Sequence, residues 1–331
     1  MVQALSLKPK LFLSKRFHIG VFCGGTSSER EISKRSGRAV IQALKRSGFR
    51  VTALDPVKPR EMKKRLSEIE AAFIALHGEG GEDGTIQAFL EKNRKSYVGS
   101  CAAPSRLAFD KIKTKRILIK NHIPTAPFIV LRQGSASWLA QVKKFGLPCF
   151  IKPSREGSSI GVISVTQWDR KTEKQIRDSL LQYKELLVER TLEGAEYTVG
   201  ILGQKALPVV ELRPKSTFYD FRAKYTSGMT DYIVPAEISG TFAKKLQRIA
   251  LKTHQVLGLR DLSRVDMKVD EKGNPFVLEA NSIPGFTEFS LLPKAAKADG
   301  LSFDELCCKL VSYALKRNPE VGQYGKKIKT K

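Results

Sequence analysis

The segment Leu278-Glu279-Ala280-Asn281-Ser282-Ile283-Pro284-Gly285 sets a carboxylate and an amide at alternate positions just before a sharp turn. Alternate side chains of a β-strand project from one face, so Glu279 and Asn281 reach the same spot. Upstream, Leu262-Ser263-Arg264-Val265-Asp266-Met267-Lys268-Val269 does the same for Arg264 and Asp266. The glycine in Glu271-Lys272-Gly273-Asn274 suits the turn of a hairpin joining the two runs. Such a hairpin gathers hard oxygen donors beside a guanidinium, a set suited to Mg²⁺ with phosphate. An ordinary exposed hairpin with a polar outer face reads the same way, so the rest of the chain has to decide.

Cys149 to Lys152 reads as a strand running into Pro153-Ser154-Arg155-Glu156-Gly157-Ser158-Ser159-Ile160-Gly161. Backbone N–H groups freed by glycine, serine hydroxyls and the Lys152 cation suit phosphate; a flexible linker is the other reading. The loop lacks the G-x-x-x-x-G-K-[ST] spacing. Asp110-Lys111 opens a helix, where Lys111 taken alone is a solvated surface residue. Glu189-Arg190-Thr191-Leu192 leaves one strand and Glu196 begins another. An extended segment there can offer backbone groups to an adenine edge, with Glu196 accepting from ribose hydroxyls or standing as a plain edge carboxylate. His77-Gly78-Glu79-Gly80-Gly81-Glu82-Asp83-Gly84 follows an apolar strand and reads as a tight strand-to-helix turn. Glu82 and Asp83 are expected to cap that helix, and His77 sits at the strand's carboxyl end. The absence of an H-E-x-x-H pair argues against zinc catalysis.

These residues need positioning elements. Phe17 to Cys23, Arg50 to Leu54 and Ala71 to Leu76 read as strands, separated by helices to about Ser47 and from Arg60 to Ser67. The alternation predicts a doubly wound parallel sheet, whose ligands lie at the carboxyl ends of the strands. The loops Gly24 to Glu31 and His77 to Gly84 should therefore share one crevice. A second unit carries helices at Asp110 to Asn121 and Ser135 to Phe145, with strands at Pro127 to Leu131, Cys149 to Lys152 and Glu185 to Glu189. A third carries strands Tyr197 to Leu202 and Leu207 to Leu212, an irregular segment Arg213 to Ile233, helices Thr241 to Leu257 and Ser302 to Lys316, and the hairpin. The expected boundaries are 1–99 (with 1–16 an extension), 100–188 and 189–331, the last ending in a basic tail, 318–331.

Composition narrows the class. A chain of 331 residues, 41% hydrophobic, can build two or three globular domains. No run approaches the ~18 apolar residues of a membrane helix, and Met1 to Arg16 lacks the continuous apolar core of a secretory signal. Five cysteines, an odd number with no C-x-x-C and one adjacent pair, point to a reducing cytoplasm. Fifty-eight basic against 33 acidic residues give +25. The excess is spread along the chain, without an aromatic-studded basic strand or zinc finger, so no specific nucleic-acid partner is expected.

Taken in chain order, GGTSSEREIS, LHGEGGEDG, FDK, IKPSREGSSIGV, the run Glu189 to Glu196, FYDFRAKY, SRVD and LEANSIPGFTEFSLLP resemble the D-alanine–D-alanine ligases of the ATP-grasp superfamily, over about Phe17 to Lys316. The resemblance implies a three-domain α/β ATP-grasp architecture, in which the N-terminal parallel sheet is joined by two α+β domains clasping ATP. It implies that ATP activates one D-alanine as an acyl phosphate and that a second attacks it, for peptidoglycan synthesis. It implies two Mg²⁺ (or Mn²⁺) held by Asp266, Glu279 and Asn281. Lys111 and Lys152 would meet the α- and β-phosphates, Glu189, Arg190, Thr191 and Leu192 adenine, Glu196 the ribose and Lys224 the γ-phosphate. Arg264 and the Gly285 N–H would stabilise the oxyanion. Glu29 would bind the first ammonium and link to Ser158 and Tyr225. Ser290 and the Leu291 N–H would hold the second carboxylate, with His77 nearby. A cytoplasmic homodimer is implied, and the segment 213–233 is expected to be a lid. Phe109, Glu288 and Phe289 depart from common family choices. A different acceptor, such as D-lactate, is the enzyme alternative; a basic nucleic-acid-binding protein with a degenerate ATP site is the non-enzyme one.

Overall fold

His18–Phe22 (β1) is buried along its whole length and apolar after His18, as a central parallel strand must be. In the computed structural model, which describes residues 17–215 and 229–318, β1 leads into α1 (Arg30–Arg46), β2 (Arg50–Leu54), α2 (Pro59–Leu66), β3 (Ala71–Ile74), α3 (Thr85–Lys92) and β4 (Ser96–Tyr97). The strands are parallel, in the order β2-β1-β3-β4. This is the doubly wound unit expected. Its crevice is real: Ser27 Oγ in the first loop donates to His77 O in the second at 2.6 Å.

Next come α4 (Ala102–Phe109) and α5 (Lys111–Lys120). Asp110 caps α5 by accepting from the Lys113 N–H at 3.0 Å. The second sheet contains β5 (Phe128–Arg132), β6 (Cys149–Pro153), β7 (Ile163–Val165) and β8 (Glu185–Arg190), in the order β5-β8-β6-β7. Helices α6 (Trp138–Phe145) and α7 (Arg170–Tyr183) cover it over a core of Val142, Ile151, Ile176 and Val188.

The third sheet has β9 (Glu196–Leu202), β10 (Lys205–Ala206), β11 (Val210–Pro214), β12 (Thr230–Ile233), β13 (Leu262–Val269) and β14 (Pro275–Asn281). The order is β12-β11-β9-β13-β14, with β10 paired to β9. Helix α8 (Gly240–Val256) buries Leu246 and Ala250 against Val199, Val265 and Met267 on one face. Helices α9 (Leu291–Ala298) and α10 (Phe303–Arg317) close the chain. Although α10 comes last, Leu306, Leu310 and Val311 share a core with Ile19, Val21 and Phe73 of the first sheet. Likewise Ala108 and Leu118, from α4 and α5, share the core of the third sheet.

Two expectations need correction. Leu207 to Leu212 is not one strand: Pro208 has no N–H for a ladder, and regular pairing with β9 begins at Val210. The segment Arg213 to Ile233 is not irregular throughout, because its ends belong to β11 and β12, paired Arg213↔Asp231 and Pro214↔Thr230. Lys224, Tyr225 and the lid expectation fall outside the described residues.

Candidate active site

The hairpin of β13 and β14 is antiparallel, with Arg264 opposite Asn281 and Asp266 opposite Glu279. A bulge follows Asp266, so that Met267 faces Val277 and Leu278 is the extra residue. Strict alternation would put Val277 and Glu279 on one face. The bulge resets the phase, leaving Val277 fully buried while Glu279 is partly exposed beside Asp266. Asp266 is heavily engaged. It accepts from Arg264 Nε at 2.8 Å and Nη2 at 2.7 Å, from Thr198 Oγ1 at 2.6 Å and from Asn281 Nδ2 at 3.0 Å. Arg264 therefore grips Asp266 through two of its nitrogens. Because the Asn281 amide nitrogen turns to Asp266, its oxygen remains for another partner. Among the described residues no three His, Cys, Asp or Glu side chains could hold a metal by themselves. The donors fit a hard cation as an incomplete set, two carboxylates and an amide, that phosphate oxygens would finish.

Lys111, at the start of α5, links this hairpin to the Ser154–Gly161 loop. Its Nζ lies 3.7 Å from Glu279 Oε2 and donates to Glu156 O at 2.5 Å, and its N–H donates to Ser154 O at 2.9 Å. Lys152 is in ion-pair contact with Glu189 Oε2, and Lys115 contacts Oε1 of the same carboxylate. Burial opposes all three charges. The paired lysines nonetheless hold the Glu189 carboxyl below its ordinary value, and Glu189 holds Lys152 above its own. Lys115 is the member for which burial wins, lowering its pKa despite Glu189. The Arg190 side chain turns away: Nη2 donates to Phe145 O at 2.6 Å and the guanidinium lies 5.0 Å from the Phe145 ring centroid. The Arg190 and Thr191 N–H groups donate to Pro127 O and Pro148 O. Leu192 is buried, and Glu196 opens β9, paired with Lys268.

The first loop supplies Glu29, buried at the N-terminus of α1. Ser158 Oγ donates to its Oε1, and a Cβ on Gly157 would come within 2.8 Å of its Oε2. The 154–161 loop thus closes directly on Glu29. His77 shares a 2.9 Å hydrogen bond with Ser36 Oγ. Burial, aided by the Arg264 charge, holds the imidazole down to about 4, so it is neutral near pH 7. Glu82 corrects the sequence reading. Asp83 does cap the turn, accepting from the Thr85 N–H at 2.9 Å, but Glu82 turns back to accept from Gly78 N at 3.2 Å. Burial and the Glu29 charge push its carboxyl up to about 8. At the far wall Ser290 Oγ accepts from Thr287 N at 2.9 Å and lies 3.3 Å from where a Gly285 Cβ would be. Leu291 opens α9, where unpaired N–H groups and the helix dipole favour a carboxylate.

A cavity of about 880 Å³ is lined by Glu29, His77, Glu82, Lys111, Ser158, Arg264, Glu279, Asn281, Gly285, Ser290 and Leu291. Lys152, Glu189 to Leu192, Glu196 and Asp266 are not part of that lining. The sequence reading missed Lys115 and the turning of Glu82. Lys115 had a signal, a K-x-x-x-K spacing from Lys111 that places both on one helix face.

The comparisons agree with this geometry. Residues 117–312 match the family model for the D-ala D-ala ligase C-terminus, and residues 53–100 that for its N-terminus. A D-alanine--D-alanine ligase of Nitrosococcus oceani is 40% identical over 297 residues, 90% of this chain and 93% of the relative. The structure of a D-alanine--D-alanine ligase from Bacillus anthracis complexed with ATP superposes with a TM-score of 0.80 at 28% identity, covering 92% of this chain and 99% of that one. The VanG D-Ala:D-Ser ligase of Enterococcus faecalis gives 0.76 at 26%, covering 89% and 98%. With an ATP-grasp fold, matching family models over most of its length and close relatives along nine-tenths of it, the chain belongs to the D-alanine–D-alanine ligase family.

Proposed function

We propose that the protein joins two D-alanines into D-alanyl-D-alanine, cleaving ATP to ADP and phosphate, and so supplies a precursor of peptidoglycan. The observation carrying this reading is a single cavity whose lining brings Glu29, His77 and the α9 N-terminus together with Lys111 and Glu279. A carboxylate is a poor electrophile, so an oxygen of the first D-alanine first takes the γ-phosphoryl group, releasing ADP. The amine of the second then attacks the acyl carbon, loses its proton, and phosphate departs with the C–O bond.

Glu29, beside a Glu82 carboxyl that keeps its proton near pH 7, receives the first ammonium. Neutral His77 lies next to the substrates without adding charge. Ser290 and the Leu291 N–H hold the second carboxylate. The Gly285 N–H and Arg264 face the oxyanion once Arg264 loosens from Asp266. Lys111 and Lys152 meet the α- and β-phosphates. The backbone of Glu189 to Leu192 meets adenine, and Glu196 the ribose. Ser158 ties the phosphate loop to Glu29, and by family position Tyr225 joins that link while Lys224 reaches the γ-phosphate. Asp266, Glu279 and Asn281 would hold two Mg²⁺ or Mn²⁺ ions, which would supply positive charge to neutralise the charge developing on the phosphates.

No helix among the described residues is long and apolar enough to cross a membrane; the reading places the enzyme in the cytoplasm, as a homodimer without a specific nucleic-acid partner. Incubation with ATP, Mg²⁺ and D-alanine should release ADP and phosphate with one dipeptide per ATP. ATP turnover indifferent to D-alanine, or no dipeptide, would overturn the reading. A second reading, a different acceptor, draws on Phe289, which is 81% exposed at the cavity mouth. Formation of a D-alanyl-D-serine or D-alanyl-D-lactate product in preference to the D-alanine dipeptide would favour it.

A further inference from the structure

Lys115 lies one helical turn beyond Lys111 on α5 and is wholly buried. Its ammonium contacts Glu189 Oε1, donates to Thr125 Oγ1 at 2.6 Å and to Ala126 O at 3.4 Å, and sits 5.4 Å from the Phe128 ring centroid. Thr125 Oγ1 in turn donates to Val277 O on β14 at 2.8 Å. Lys152 contacts the other Glu189 oxygen from the partly exposed side. One carboxylate is therefore gripped between two ammoniums. The inner one is anchored to the third sheet; the outer one stands where the proposed function puts the phosphates. Neutralising Glu189 needs only Lys152. A second, fully buried lysine on the same carboxylate is costly and needs a role beyond charge balance.

We propose that Lys115 is a positioning residue for the nucleotide: it fixes the Glu189 carboxylate and, through it, aims the Lys152 ammonium at the phosphates. The proposal rests on the reading of Lys152 as a phosphate contact. Lys115 has no surface through which to touch substrate itself. Its effect runs through the shared carboxylate, so it must vanish when Lys152 is gone.

The test is calorimetric binding of Mg²⁺-ADP and of adenosine to the full chain, in a double-mutant cycle. Lys115→Met should weaken ADP about tenfold, the order expected for misplacing one charged hydrogen-bond donor, and adenosine by less than about twofold, since adenosine has no phosphate. Introduced on top of Lys152→Met, it should have little further effect. Lys115→Arg should keep ADP affinity within about threefold of wild type, because the charge remains. KM for D-alanine should stay within about twofold in all single variants of Lys115, whose contacts lie away from the amino-acid end. Equal weakening of adenosine and ADP, or penalties that add in the double variant, would mean a general structural role and overturn the proposal. If Lys115→Met does not fold, Thr125→Val removes only the anchoring hydroxyl and is read by the same criteria. ADP binding unaffected by Lys152→Met would sink the Lys152 reading and this proposal together, whereas additive penalties would sink this proposal alone.

Discussion

The two ends of the site treat charge in opposite ways. At the end proposed for the nucleotide, opposite charges already meet: Glu189 lies between Lys115 and Lys152, and Lys111 approaches Glu279. At the end proposed for D-alanine two carboxyls crowd together: burial and the Glu29 charge push Glu82 up to about 8, so that it keeps its proton near pH 7, while His77 is held neutral. The proposed nucleotide end is thus preassembled, and a phosphate bound there would join ion pairs that already exist. At the end proposed for D-alanine, Glu82 is protonated in the free protein, and an ammonium beside Glu29 would favour its ionised form. Binding at the first end should depend on geometry, and binding at the second on protonation.

The largest effect should come from breaking the preassembled end. Glu279→Gln replaces an anionic oxygen beside Lys111 with a neutral amide. Turnover should fall by about 10²–10³-fold or more, the scale of losing a charge placed for the transition state. Dipeptide formation assayed at saturating ATP checks it, and near-normal turnover at modest Mg²⁺ would remove Glu279 from the metal set.

The next effect sharpens the end proposed for D-alanine. A carboxyl whose folded pKa is raised from 4.5 to about 8 keeps a proton that the unfolded chain has released. Stability should therefore decline as pH rises across that window. Glu82→Gln should flatten the slope and raise the melting temperature at pH 8 by roughly 2–4 °C for a chain of this size. Thermal scans between pH 5 and 8 decide; an unchanged slope would show that Glu82 does not carry this strain.

The contrast was unevenly legible in the sequence. The hairpin donors were readable because strand alternation has a period of two, and Glu279, Asn281, Asp266 and Arg264 do converge. The bulge was not, since nothing in Val277-Leu278-Glu279 marks an extra residue until the partner strand is known. Parallel strands in the first unit were readable from their unbroken apolar runs. The docking of α10 on that unit was not, because an amphipathic helix does not say which sheet it covers. Nothing in the sequence marks Lys115 as buried, because its carboxylate partner, Glu189, lies far along the chain. Glu82 was read from its local position as a cap, and the closeness of Glu29 reversed its role.

A smaller effect separates cavity from core. His77 and His254 are both held down to about 4, each chiefly by burial. For a histidine lowered from 6.5, the unfolded chain binds the extra proton first, so stability is lost as pH falls from 6.5 toward 4. His77→Gln and His254→Gln should each remove part of that acid slope. D-alanine should change the slope only when His77 is present, because His77 lines the cavity while His254 hydrogen-bonds Ser263 inside the third unit. An identical ligand response in both variants would remove His77 from the amino-acid end.

The smallest effect lies outside both ends, on the surface that carries the net +25. Basic side chains recur on α2, α5 and α8 rather than on one face of one element. Dispersed lysines meet phosphates a few at a time, and each contact releases counterions, so affinity falls steeply with salt. Duplex DNA should bind weakly, without sequence preference, and be lost between roughly 50 and 200 mM salt. It should also compete poorly with ATP, because the nucleotide-end lysines are held by Glu189 and are largely buried. Fluorescence anisotropy with two unrelated duplexes across a salt series tests both points. Tight, sequence-selective binding that survives at the upper salt, or strong competition by ATP, would show that the excess charge forms a real nucleic-acid surface and that the preassembled end is open to it.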